Sequence, residues 1–130
     1  MEKTFEEVRS FFAKDKFATE NGAVIESFSD GYARCSIDLN ENHLNAVGGV
    51  QGGVHYMLSD FTFAVATNWK ECNTVSLHSD IVYLGAVKGK KIIAEAHLVN
   101  RIVVFKQTSF VIPRIAILLY CASQAAINNK

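Results

Sequence analysis

The stretch 43–68, HLNAVGGVQGGVHYMLSDFTFAVATN, restricts the possible folds of this chain more than any other. A polar loop rich in glycine (Gly48, Gly49, Gly52, Gly53) runs straight into a helical segment that is apolar around most of its circumference. At about 100° per residue, Val54, Met57, Leu58, Phe61 and Val65 form one arc, and Tyr56, Phe63, Ala64 and Ala66 carry apolar surface well beyond it. A helix with so narrow a polar side has to be covered, most simply by a sheet wrapped around it. Its polar minority is divided. His55, Ser59 and Thr62 gather on one side, whereas Asp60 falls roughly 100° away, beside Tyr56, Ala64 and Thr67. Solvation of a polar stripe does not account for this acid, and burial would raise its pKa.

Glycines ahead of a helix let the backbone turn sharply and leave the first N–H groups of the helix without intrahelical acceptors. Those donors carry partial positive charge and suit an anion or a developing oxyanion. An acid beside such a donor cluster is one way to assemble an acyl-transfer site.

Upstream, Thr4-Phe5-Glu6-Glu7 has capping-box spacing, and Phe5, Val8, Phe11 and Phe12 recur at helical intervals. One short helix is expected, ending before Asn21-Gly22. Residues 23–28 and 32–39 read as strands joined by Ser29-Asp30-Gly31. The second alternates, with Ala33, Cys35, Ile37 and Leu39 on one face and Arg34, Ser36 and Asp38 on the other, so one face should be buried and one wet. After the central helix the period changes to two. Residues 74–84, 90–99, 102–112 and 115–127 read as four strands, broken at 85–89, Asn100-Arg101 and Pro113-Arg114. The links are short, so these strands should be antiparallel neighbours. The expectation is a single α+β domain over 1–130, with one antiparallel sheet curled around one long helix.

The chain has 130 residues, enough to bury a sizeable core, and its 13 basic and 13 acidic side chains cancel, which gives no argument for a nucleic-acid partner. Lys88, Lys90 and Lys91 form a local basic cluster that suits a phosphorylated ligand, although a solvated turn is its commoner meaning. Cys35, Cys72 and Cys121 are odd in number and far apart, as reduced thiols of a cytoplasmic protein are; Cys72 and Cys121 read as core residues. The histidines (His43, His55, His78, His97) show no metal-ligand spacing, so no metal site is expected, and His55 and His97 read as surface or interface residues. No signal peptide and no membrane-spanning run is expected.

The sharpest pattern is His43-Leu44-Asn45, Gly48, Gln51-Gly52-Gly53 and Leu58-Ser59-Asp60-Phe61-Thr62-Phe63-Ala64. It resembles the hotdog-fold acyl-CoA thioesterases, particularly the PaaI-like, phenylacetate-pathway type, and the order of elements agrees over nearly the whole chain. The resemblance implies hydrolysis of a small, aromatic or medium-chain acyl-CoA, with no cofactor besides the coenzyme A of the substrate. By position it assigns Asp60 as general base or nucleophile, the Gly52 backbone N–H as oxyanion donor and Asn45 as the group that positions water or leaving group. Gln51 and Gly53 would contact substrate, and Ser76 or His78 would approximate a further polar position. It implies a homodimer pairing into a homotetramer, with active sites at the dimer interface. Two features depart from the pattern: Gln51 stands where the family has His, and Ile112-Pro113-Arg114-Ile115 replaces a polar hairpin turn. Gln hydrogen-bonds but does not become a cation near neutral pH. A non-catalytic acyl-CoA-binding protein and an enoyl-CoA hydratase or dehydratase are the alternatives. The latter chemistry wants an Asp–His pair, and the nearest His is absent.

Overall fold

In the computed structural model, residues 2–76, 78–103 and 111–121 are described, from Asn100 onward by backbone alone. Helix α1 (Phe5–Phe12) begins at a capping box: the Thr4 hydroxyl accepts from the Glu7 N–H, and the Glu7 carboxylate accepts from the Thr4 N–H at 2.7 Å. This hydrogen bonding holds the Glu7 carboxyl below its usual range. The expected single N-terminal helix is two. Asp15 starts a second, α2 (Lys16–Glu20), by accepting the Ala18 N–H at 3.0 Å, so the chain bends at 13–15. Asp prefers this cap position, which competes with continuing the first helix.

Strands β1 (Ala23–Ser29) and β2 (Tyr32–Asp38) form the expected hairpin. Gly31 turns it at φ +70°, and a Cβ there would lie 2.8 Å from the Leu98 Cβ. The turn is thus docked against the neighbouring strand, and the Leu98 N–H donates to the Gly31 carbonyl at 2.7 Å. Beyond the central helix, two long strands form among the described residues, β3 (Lys91–Val103) and β4 (Val111–Cys121), where four were expected; residues 104–110 of the expected strand 102–112 lie outside the described residues. Asn100-Arg101 is not a turn. The register shifts between Leu98 and Asn100 and the strand continues, the signature of a bulge. Pro113 pairs with Arg101 inside β4, the outermost strand among the described residues, where a missing N–H is tolerated. Residues 122–127 of the last expected strand lie outside the described residues.

The sheet has order β1-β2-β3-β4, all antiparallel, and α3 (Gly52–Asn68) packs across all four strands. Three cross-strand pairs, Ala33↔Ala96, Cys35↔Ala94 and Ile37↔Ile92, are fully buried. Four of these six side chains are small, which lets the helix approach closely while Leu58, Phe61 and Val65 fill the space. Burial pushes the Cys35 thiol up to about 12. The outer face of β2 is drier than expected, since Ser36 is buried opposite Ile93. Arg34 is paired with Glu26 and Glu95, and Lys91 with Glu26 and Asp38. Long stems of this kind shield a sheet surface while their heads stay wet. Cys72, expected in the core, is exposed.

The largest departure is 74–84. Among its described residues, no strand forms. Among the described residues, several of its polar contacts go to the helix. The Asn68 side chain accepts the Asn73 and Thr74 N–H groups and donates to the Thr74 carbonyl at 2.9 Å. The Tyr56 hydroxyl meets Ser79, and the Tyr83 hydroxyl donates to the Gly52 carbonyl at 2.9 Å. Contacts at Asn68, Tyr56 and Gly52 follow α3 from its C-terminal end to its first residue. The segment is therefore a strap laid antiparallel along the helix. Alternating apolar residues announced an extended chain; among the described residues, side-chain hydroxyls and an amide tie it to the helix, and Thr74 makes a single β-bridge.

Candidate active site

The loop ahead of α3 is tightly determined. His43 is 2% exposed; its Nδ1 accepts the Asn40 N–H at 3.0 Å and its Nε2 lies 2.6 Å from the Asn21 carbonyl, which requires the neutral tautomer with the proton on Nε2. The ring joins the start of this loop to the end of α2, and its own carbonyl accepts the Gln51 N–H. Leu44 and Val50 bridge across the loop. Asn45 organises what lies between: its Oδ1 accepts from the Val47 and Gly49 N–H groups, both at 3.0 Å. That is the ordinary use of a loop asparagine. Its Nδ2 makes no hydrogen bond among the described residues.

Gln51 is the N-cap of α3, and its Oε1 accepts the Gly53 N–H. The Val54 N–H donates to the Gln51 carbonyl at 2.9 Å. Among the described residues, the Gly52 N–H has no acceptor. The helix thus offers one open donor at its positive end.

Asp60 lies on the side of α3 turned away from the sheet. Met57, Leu58, Phe61, Thr62, Val65 and Ala66 are buried, whereas Gly53, Tyr56 and Asp60 are exposed and Phe63, Ala64 and Thr67 half-buried. The described residues therefore do not cover the helix on all sides. Its open face is an apolar stripe with one carboxylate in it. Asp60 makes no hydrogen bond or ion pair among the described residues. Partial burial against its apolar neighbours raises its pKa, and the negative charge of Asp15 raises it further. Thr62, expected on a polar side with His55 and Ser59, is buried and donates to the Leu58 carbonyl at 2.6 Å. His55 is half-buried, and burial lowers its pKa.

Gly52 and Asp60 are eight residues apart on one helix, about 12 Å along its axis. A base within hydrogen-bond reach of its water and a donor about 3 Å from the oxyanion do not span that distance around one carbonyl. Ser76 and His78 fall on the strap; both are exposed, and the His78 ring lies 3.9 Å from Asp80. The strap residues that reach the N-terminal half of the helix are Ser79 and Tyr83, which no spacing rule singles out. A cleft of about 290 Å³ opens between the glycine loop and the 87–90 turn, lined in part by Leu44, Gly48, Gly49, Val50 and Lys90. Lys91 is engaged in ion pairs, and Lys88 and Lys90 are exposed. Among the described residues, no three His, Cys, Asp or Glu side chains gather as a metal site, and no helix is long and apolar enough to cross a membrane.

A four-stranded antiparallel sheet packed on one long helix behind a short N-terminal helix is the hotdog fold. Solved structures agree. The E. coli PaaI protein from the phenylacetic acid degradation operon matches with a TM-score of 0.65 at 20% identity, over 88% of this chain and 87% of that one. Zebra fish thioesterase superfamily member 2 matches with a TM-score of 0.63 at 22% identity, over 75% of this chain and 77% of that one. In sequence, the chain is 33% identical over 97 residues to a protein of Archaeoglobus fulgidus named “Putative esterase”, covering 73% of this chain and 63% of the relative's length. No protein-family profile matches the chain.

Proposed function

We propose that this protein is a thioesterase that hydrolyses the thioester of a small, aromatic or medium-chain acyl-CoA, working as a dimer that pairs into a tetramer. The observation that carries the reading is Asp60: a carboxylate of raised pKa, unpaired among the described residues, set in an apolar helix face that those residues leave open. The kinship of the fold with PaaI and thioesterase-family structures supports it, as does the name of the archaeal relative.

In this reading Asp60 of one copy faces the Gly52 N–H of another, which resolves their separation along a single helix. Asp60 takes a proton from water as the water oxygen adds to the thioester carbonyl. The oxygen that becomes anionic accepts the Gly52 N–H. The C–S bond then breaks, and the proton returns from Asp60 to the departing thiolate, leaving free acid and coenzyme A. The Nδ2 of Asn45 and the Nε2 of Gln51 are available to orient substrate, whereas their oxygens are committed to the loop and the cap. Gln51 in place of His removes any step that needs a protonated side chain there.

The test is release of free thiol from short, long, hydroxylated and aryl acyl-CoAs by the wild type and by Asp60→Asn. A positioned base contributes about 10²–10⁴, so the variant should lose at least a hundredfold in kcat/KM while keeping its oligomeric state. Equal turnover in the two proteins refutes the mechanism. Tight acyl-CoA binding without hydrolysis in the wild type assigns a non-catalytic binding protein instead, and hydration of an enoyl-CoA assigns a hydratase.

A further inference from the structure

The amide between Gly52 and Gly53 is gripped at both ends. The Tyr83 hydroxyl donates to its carbonyl at 2.9 Å, and its N–H donates to the Gln51 Oε1. Gly52 leaves room for the first grip, since a Cβ at this position would lie 3.1 Å from the Tyr83 hydroxyl oxygen and crowd it. Tyr83 is itself held. Its ring packs edge-on against His55 with centroids 5.6 Å apart, and four residues upstream Ser79 is bonded to the Tyr56 hydroxyl. Paired glycines have the widest backbone freedom of any sequence, and here they stand where the first N–H groups lack intrahelical acceptors. Fixing the plane of one amide restricts ψ of Gly52, and with it the direction of the preceding N–H, the open donor.

We infer that Tyr83 is a positioning residue for the oxyanion site: by clamping the Gly52–Gly53 amide against the Gln51 cap, it aims the free Gly52 N–H at the thioester oxygen. This rests on the thioesterase reading above. A donor already aimed costs no reorganisation when charge develops, so the clamp belongs to turnover and not to ground-state binding. One neutral hydrogen bond corresponds to about three- to tenfold in rate.

The experiment uses the full chain and Tyr83→Phe, which keeps the ring and its contact with His55 and deletes only the hydroxyl. Three quantities are read: amide hydrogen exchange at Gly53, kcat and KM for one acyl-CoA, and the urea midpoint. The expected result is Gly53 exchange and kcat changed by about three- to tenfold, faster and slower respectively, with KM within about twofold and the midpoint lowered by no more than the same fold-change in the folding equilibrium. Unchanged Gly53 exchange overturns the clamp. Faster exchange with unchanged kcat, or a loss carried by KM, overturns its positioning role. Absence of any thiol release by the wild type removes the thioesterase reading and the positioning role with it, while Gly53 exchange still decides whether the clamp exists.

Discussion

His43 heads the loop motif by which the chain resembles known thioesterases, yet its surroundings make it a structural staple, and His43→Leu separates the two roles. The ring is 2% exposed and bridges the Asn40 N–H and the Asn21 carbonyl, at 3.0 and 2.6 Å. Leucine keeps an apolar filling and removes both bonds. Each neutral bond contributes about 0.5–1.5 kcal/mol net, and an orphaned group sealed from water costs about 1–3 kcal/mol. Asn21 and Asn40 are otherwise exposed, so water reaches the abandoned groups in part and the lower range applies. The two losses together come to about 1–3 kcal/mol, a fall in Tm of roughly 4–12 °C for a chain of this size. Urea unfolding at neutral pH measures it, alongside thiol release well below the transition. The variant should unfold earlier with kcat/KM within about threefold, because Asn45, Gln51 and Gly52 are fixed by bonds of their own. A stability loss under about 0.5 kcal/mol, within the range of ordinary surface changes, refutes the staple. A hundredfold loss of activity in a stable variant refutes the separation of roles.

Asp15→Asn keeps the cap of α2, since Asn and Asp are equivalent there, and removes the charge that adds to the burial-driven rise of the Asp60 pKa. Hydrolysis needs Asp60 ionised, so the acid limb of the kcat/KM profile should move to lower pH; an unmoved limb refutes the coupling. For stability the sign is the reverse of a salt-bridged acid. A folded pKa above the unfolded one favours the fold at low pH, and that contribution is lost as pH rises through the folded pKa. Asp60→Asn should therefore not destabilise the protein near neutrality, which a urea titration at pH 7 checks. Gly31→Ala meets both a φ of +70° and a Cβ–Cβ distance of 2.8 Å to Leu98. It should cost at least about 1–2 kcal/mol in urea unfolding, and a neutral outcome would mean that the turn is free to move.

Much of this protein is local in origin and was readable from residue order. The Thr4–Glu7 cap, the 29–31 turn and the long helix after the glycines follow from contacts within a few positions, and each stands where its sequence signal lies. Signals that name a conformation without a partner misled. Asn100-Arg101 and Pro113-Arg114 looked like breaks, but cross-strand pairing carried the chain through a bulge and a proline in the outermost described strand. Residues 74–84 read as a strand because alternation specifies an extended backbone and not which groups will satisfy it.

The candidate site divides in the same way. Asp60, Asn45 and the glycines stand out in the sequence, since an acid within an apolar helix and glycines before it are anomalies visible in one dimension. Their partners are not. The commitment of the Asn45 and Gln51 oxygens, the burial of His43 between two distant turns, and the Tyr83 hydroxyl on Gly52 link positions as many as 31 residues apart. No periodicity encodes such pairs, because hydrogen bonds between remote groups exist only once packing against the sheet has set where α3 begins and which of its faces stays open.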